Sequence, residues 1–196
     1  MNGHVCNRER LLQAATEVFL EHGYGASVDM LVARAGVARQ TFYNHFENKE
    51  CLFAEAMRSC VSEILVPLND YSGDLRETLQ EFARTYRQRV LSPQSIAKFR
   101  IITSLAQRFP ELTGEDYQLG LGRMLESLGE FLRAAMREGR LREADPAFAA
   151  EMLLSMLAGM ERTRMLFGVE RPPQDEAARV EQIVDGFLRM FAAESE

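Results

Sequence analysis

The sequence predicts an all-α chain of about nine helices, and three observations carry that reading. Every segment long enough to show a period repeats its apolar residues at steps of three and four, the spacing of one helix face. No segment alternates apolar and polar residues for long enough to make a strand. Two short segments meet at Gly36, the arrangement of a helix-turn-helix.

Taken in order, Leu11, Leu12, Ala15, Val18 and Phe19 mark the first helix, and Gly23 sits where a C-cap belongs. Ser27 is placed to cap the next, which ends in Leu31-Val32-Ala33-Arg34-Ala35 before Gly36 breaks it. A second short helix over 38–45 turns Phe42 and Phe46 inward, four residues apart. Asn48 caps a helix carrying Leu52, Phe53, Ala56, Met57, Val61, Ile64 and Leu65, which Pro67 and the polar stretch 69–73 end.

Further on, Leu75, Leu79, Phe82, Tyr86 and Val90 share one face. Ser92-Pro93 supplies a cap and a first-turn proline for Ile96, Phe99, Ile102, Thr103 and Leu105, and Arg108-Phe109-Pro110 closes that segment. Thr113 and Asp116 are the expected caps of a long helix with Leu121, Met124, Leu125, Leu128, Phe131, Leu132 and Met136, stopping near Gly139. Asp145-Pro146 opens another that ends near Gly168. Pro172-Pro173 precedes the last, with Val180, Ile183, Val184, Phe187, Leu188 and Phe191.

The segment 152–160 is apolar nearly all round, so it is expected to be buried on more than one side. One side would face its own core and the other a second copy, with Leu157, Val180, Val184, Phe187 and Phe191 as candidate interface residues. A helix at the centre of a monomeric bundle has the same pattern.

Composition narrows the function. With 196 residues and 46% hydrophobic content the chain can bury a substantial core. Its net charge of −6, and a first fifty residues in which five cations meet six carboxylates, argue against coating nucleic acid through a broad basic field. No apolar run approaches the roughly 20 residues of a membrane span, and no secretory signal is visible. The chain is therefore expected in the cytoplasm. Cys6, Cys51 and Cys60 are odd in number and lack metal spacing, so they read as reduced thiols. His4, His22 and His45 lie in or before the helix-turn-helix, and no nucleotide loop, nucleophile elbow or metal-ligand motif appears. Neither an enzyme nor a cofactor is expected.

The second short helix carries side chains suited to nucleic acid: Arg39, Gln40, Thr41, Tyr43, Asn44 and His45, with Lys49 just beyond. Arg can contact a guanine edge through two hydrogen bonds, and Gln can do the same with adenine. A Tyr hydroxyl or a Lys ammonium fixes register on phosphates.

Gly36-Val37, Thr41-Phe42-Tyr43 and, upstream, Ala14-Ala15, Phe19 and Gly23-Tyr24 together resemble the TetR family of bacterial transcriptional regulators over roughly residues 8–60. The resemblance implies a three-helix DNA-binding domain over 1–50, with 28–35 as support helix and 38–45 as recognition helix. It places Arg39, Gln40 and Thr41 at base edges or nearby backbone, and Tyr43, His45 and Lys49 at phosphates; Ser27 and Asn44 complete the DNA-facing set. Three positions depart from the family pattern. Ala38 stands where a serine cap is common, Asp29 where a cation is common, and Val32 where alanine is usual.

The run 108–112, the turn at Gly139-Arg140-Leu141 and Asp145-Pro146 look similar to the AefR-like C-terminal domains of some TetR relatives. That implies an effector-binding and dimerisation domain over 51–196. Its expected cavity walls are Phe82, Tyr86, Phe99, Ile102, Met124, Leu128, Phe131 and Met156, although such stripes are also plain core. The implied protein is a homodimeric repressor, released from a palindromic DNA operator by a small apolar effector. A structural DNA-binding protein without an effector, or an activator, has the same sequence signature.

Overall fold

The computed structural model describes residues 2–57, 61–69, 73–170 and 173–193, with side chains from residue 7 onward. The thiols of Cys6 and Cys60, the His4 imidazole, Pro172 and most of the stretch 69–73 lie outside the described residues. The described residues form helices and turns, with no strand. The helices are α1 (Asn2–His22), α2 (Val28–Ala35), α3 (Arg39–His45), α4 (Lys49–Met57), the single turn α5 (Ser62–Leu65), α6 (Leu75–Val90), α7 (Pro93–Leu105), α8 (Pro110–Tyr117), α9 (Arg123–Arg137), α10 (Pro146–Leu166) and α11 (Glu176–Met190). No helix among the described residues is long and apolar enough to cross a membrane.

Local chemistry starts most of these helices. Ser27 Oγ accepts the Met30 N–H at 3.3 Å, Asn48 Oδ1 accepts from Cys51 at 2.8 Å, and Ser92 Oγ accepts from Ser95 at 3.2 Å. Asp74, Asp145 and Asp175 do the same for α6, α10 and α11. Each bond satisfies an amide that the first helical turn leaves without a partner.

One expected pair of caps is corrected. Thr113 and Asp116 lie inside α8, which starts at Pro110 behind Phe109. The Thr113 hydroxyl is turned back onto the Phe109 and Pro110 carbonyls, at 3.1 and 3.2 Å, so it satisfies the helix from within. The chain then passes through a π-turn at Gln118–Gly122 into α9.

Two compact units emerge, Met1–Ser59 with Ala97–Leu119, and Cys60–Ile96 with Gly120–Glu196. As packing, the division does not fall at residue 50. Leu52, Phe53, Ala56 and Met57 of α4 are buried with Leu11, Phe19, Leu31 and Phe42, and Leu105 of α7 joins the same core. The Phe19 and Phe53 rings meet edge to face at 4.9 Å, and Tyr24 meets Phe53 in the same way at 5.0 Å.

The second unit packs α6, α9, α10 and α11 around Leu79, Phe82, Leu128, Leu132, Leu153 and Leu157. The apolar segment of α10 divides as its pattern suggests. Leu153, Leu154, Leu157 and Ala158 are buried, while Met160 is 68% exposed. The named interface residues do not share that outer face. Leu157, Val180, Val184, Phe187 and Phe191 are all buried in the unit's own core, because α11 turns its apolar stripe toward α6 and α10.

Candidate DNA-binding interface

The turn between α2 and α3 is built on Gly36. Its φ of 63° and ψ of 41° lie in the left-handed region, where a Cβ is strained. Gly36 N–H donates to Ala33 O at 3.2 Å and Val37 N–H to Val32 O at 3.1 Å, which closes α2 and reverses the chain. Arg10 Nη2 donates to the Gly36 carbonyl at 3.1 Å, and a Cβ at this position would stand 2.8 Å from that nitrogen. The turn is therefore fastened to α1 by a contact that only glycine permits without a shift.

Ala38 leaves α3 without a side-chain cap, although its carbonyl accepts the Thr41 N–H at 2.9 Å. The short helix is held instead by its anchors. Phe42 is fully buried and Phe46 nearly so, with ring centroids 6.1 Å apart. This fixes the opposite face outward. Arg39, Gln40, Tyr43 and Asn44 are exposed, whereas Thr41 and His45 are half-buried at its flanks. Gln40 Nε2 donates to Asn44 Oδ1 at 3.2 Å, and Arg39 Nη1 donates to Asp29 Oδ1 of α2 at 2.8 Å. A hydrogen bond with Tyr43, then the Asp29 charge, hold the Arg39 guanidinium more firmly in its charged form than usual.

Lys49 at the start of α4 is half-buried. Its ammonium donates to Tyr24 O at 2.9 Å and Ala26 O at 3.2 Å, and lies 4.2 Å from the Tyr24 ring centroid. It thereby braces the turn that carries Ser27, and an ammonium has a third donor to offer. Arg34 ties α2 to α1. It donates to Glu21 at 2.7 and 3.0 Å and to Glu17 at 3.2 Å, and its hydrogen bond holds the Glu21 carboxyl below the usual range.

The basic residues of this region thus share one property: each has a partner within its own unit. Arg8 grips Glu55 through two bonds of 2.6 and 2.7 Å, Arg10 takes Gly36 O, Arg34 takes the α1 carboxylates, Arg39 takes Asp29 and Lys49 takes two carbonyls. In the sequence Asp29 is marked only as a carboxylate standing where a cation is common, a lost phosphate contact and a source of repulsion. Its pairing with Arg39 has no local signal, since ten residues and a turn separate the two.

The expected effector residues fall in three places. Phe82, Tyr86, Met124, Leu128 and Phe131 come together in the core of the second unit, where Phe82 and Tyr86 stack at 6.0 Å. Phe99 and Ile102 belong to the first unit. There Ile102 lines a recess with Phe53, Met57, Leu112 and Leu119 that has room for about one water, roughly 20 Å³. Met156 lines a groove of about 300 Å³ in the second unit beside Glu161, Arg164, Gln174 and Arg179.

That groove borders a cluster the hydropathy pattern conceals. Arg87 of α6 is 1% exposed and donates to Glu161 at 2.9 and 3.1 Å, to Glu176 at 2.5 Å and to the Leu157 carbonyl. Burial works against its charge, but the bonds from Glu176 and Glu161 outweigh that and hold it charged. Its signal was positional. Leu79, Phe82, Ala83, Tyr86 and Arg87 follow the steps of one helical stripe. Among the described residues no cluster of His, Cys, Asp and Glu is arranged to hold a metal ion.

Comparison with known proteins agrees with this geometry. The family model described as bacterial regulatory proteins, tetR family, matches residues 11–56, and that for the AefR-like transcriptional repressor, C-terminal domain, matches residues 77–193. The HTH-type transcriptional repressor DhaR of Mycobacterium sp. (strain GP1) is 40% identical over 58 residues, which span only 29% of this chain and 29% of DhaR. A crystal structure of a TetR-family regulator from Mesorhizobium loti MAFF303099 superposes with a TM-score of 0.83 at 25% identity, covering 98% of this chain and 100% of that one. The flavonoid-responsive regulator FrrA superposes with a TM-score of 0.74 at 28% identity, over 96% of this chain and 98% of its own.

Proposed function

The chain belongs to the TetR family of DNA-binding transcriptional regulators, which are not enzymes, and from that premise we propose that it is a homodimeric repressor released from DNA by a small apolar effector. The observation that carries the reading is the outward face of α3. Phe42 and Phe46 anchor one side, so Arg39, Gln40, Tyr43 and Asn44 stand on the other, ready for a major groove. In this reading Arg39, Gln40 and Thr41 take base edges or adjacent backbone, and Ser27, Tyr43, Asn44, His45 and Lys49 set register on phosphates and nearby groups. Residues 1–50 carry recognition and 51–196 carry the effector and the dimer contact.

A second copy is expected on the outer face of α10 and α11. Met160 is exposed there, and a Cβ built on Gly159 meets nothing within 4 Å, so another helix can approach closely. Two recognition helices then meet half-sites separated by about one helical turn or a multiple of it. The effector releases DNA only if it binds better to a conformation in which those helices are misplaced. The flavonoid response of FrrA makes planar aromatic compounds the first effectors to try. The protein is expected to act in the cytoplasm.

The test starts by selecting duplexes from a randomised pool with the full-length protein. Recovery of a palindromic sequence, and its release by a flavonoid, supports the reading. Arg39→Ala should lose about tenfold or more affinity for the selected duplex and less for a shuffled one. Met160→Glu should give folded monomers by sedimentation that bind the palindrome far more weakly, because two linked half-sites gain from effective concentration. Recovery of no preferred sequence would overturn the assignment.

A further inference from the structure

Asp29 is the residue of the interface with the least obvious purpose. A carboxylate in the first turn of α2 faces the polyanion that the neighbouring helix is built to read, and simple Coulomb repulsion penalises it. Its observed partner changes that balance. Oδ1 lies 2.8 Å from Nη1 of Arg39, the first residue of α3, and the exposed Tyr43 stands one turn along the same helix. Arg39 and Asp29 are 58% and 70% exposed, so the pair is not part of the core.

An exposed ion pair contributes little to stability, because solvent screens it and two side chains must be ordered. Its consequence is directional. An unrestrained arginine beside DNA is drawn to the nearest phosphate, a contact that carries no sequence information. A carboxylate bonded to one end of the guanidinium fork restricts where the group can swing. It also offsets its charge as a phosphate ligand and leaves the other N–H groups for the two acceptors of a guanine. Of the other cations described in residues 7–50, Arg8 and Arg34 are paired with carboxylates of the same unit, which offsets part of the local positive charge, while Arg10 and Lys49 bond carbonyls and keep theirs.

We propose that Asp29 is a specificity-determining residue: it positions Arg39 for a base edge and withholds it from phosphates, giving up general affinity in exchange for discrimination. The proposal rests on the reading that α3 enters the major groove.

The experiment uses full-length protein, the duplex selected by the wild type and a shuffled duplex of the same composition, with affinities measured by anisotropy over a salt series. Asp29→Asn should bind the shuffled duplex about tenfold more tightly, with a log–log salt slope steeper by about 1 per subunit. Its affinity for the selected duplex should change by less than about threefold, since a freed arginine gains phosphate contact while losing base geometry. Reselection with Asp29→Asn should relax the preference at a single base pair of each half-site. Asp29→Glu, which keeps the carboxylate, should keep the discrimination. In an Arg39→Ala background, Asp29→Asn should leave discrimination where it already stands.

Equal gains on both duplexes would show a general repulsive charge and overturn the proposal while α3 keeps its assigned role. An undiminished effect of Asp29→Asn in the Arg39→Ala background would overturn it in the same way. If Arg39→Ala by itself leaves discrimination at the wild-type level, the assignment of Arg39 to a base edge fails, and the role of Asp29 falls with it.

Discussion

The two units each contain an arginine held by carboxylate, and the contrast between them separates a solvent-exposed pair from a buried one. In the first unit Arg39 and Asp29 meet on the surface, 58% and 70% exposed, across the turn that joins α2 and α3. In the second, Arg87 and Glu161 are 1% and 8% exposed, and Glu176, Gln174 and the Leu157 carbonyl complete the cluster. The chemical pair is the same. Water screens the first and leaves it open to other partners. Water is largely kept from Arg87 and Glu161 themselves, although Glu176 at the edge of the cluster is 45% exposed, and at the buried pair a charge without its partner would be strongly penalised.

The largest expected effect breaks the buried pair. Arg87→Ala leaves Glu161 facing a low-dielectric core without its principal cation and empties the space of a long side chain. Removing one member of a buried pair typically costs about 3–5 kcal/mol. Urea unfolding of the variant should show a loss of that size. Replacing Arg87 and Glu161 together by methionine should cost less than Arg87→Ala, because the uncompensated charge goes with its partner. A loss below about 1 kcal/mol for Arg87→Ala would mean that solvent reaches the cluster, and the contrast with Arg39 would disappear.

A smaller effect is expected from the surface pair. Arg39→Ala and Asp29→Asn should leave the urea midpoint within experimental scatter of the wild type, even as both change DNA discrimination. A marked loss of stability in either would give the surface pair an architectural role and blur the comparison.

What the sequence revealed follows the same division between local and distant interactions. Ser27, Asn48, Ser92 and Asp145 were legible as caps because each bonds an amide two or three residues away. Gly36 was legible because only a residue without Cβ sits easily at its φ, and Phe42 and Phe46 because four residues make one helical turn. The outward face of α3 follows from these alone. Thr113 failed as a cap because a hydroxyl can satisfy its own helix as well as start one. The partners of Arg87 lie 74 and 89 residues away, and no spacing in the sequence connects them. The stripe on α11 was legible as apolar, but its pattern has the same form whether it faces the subunit's own core or a second copy. Only the burial of Val180, Val184 and Phe187 decides that it faces inward.

The smallest predicted effect probes a hydrogen bond at the edge of the recognition unit. Tyr24 Oη donates to Glu50 Oε1 at 2.5 Å, and that bond, ahead of other influences, holds the Glu50 carboxyl below the usual glutamate range. Burial first, then the bond to Glu50, push the Tyr24 phenol above its ordinary value. Tyr24→Phe keeps the ring that packs on Phe53 and Phe109 but removes the donor. Glu50 is exposed, so the expected loss near neutral pH is no more than a few tenths of a kcal/mol. Its pH dependence carries the information. A carboxyl with a lowered folded pKa contributes stability above the ordinary glutamate value and loses it as pH falls through the folded value. A phenol with a raised folded pKa contributes below the ordinary tyrosine value and loses it as pH rises toward the folded value. The stability gap between wild type and Tyr24→Phe should therefore be widest near neutrality and narrow on both the acid and the alkaline sides. Carboxyl resonances followed by NMR should show Glu50 titrating higher in Tyr24→Phe than in the wild type. A gap that does not vary with pH would mean that the hydroxyl contributes only packing, and that the turn before α2 is braced by Lys49 and the rings without it.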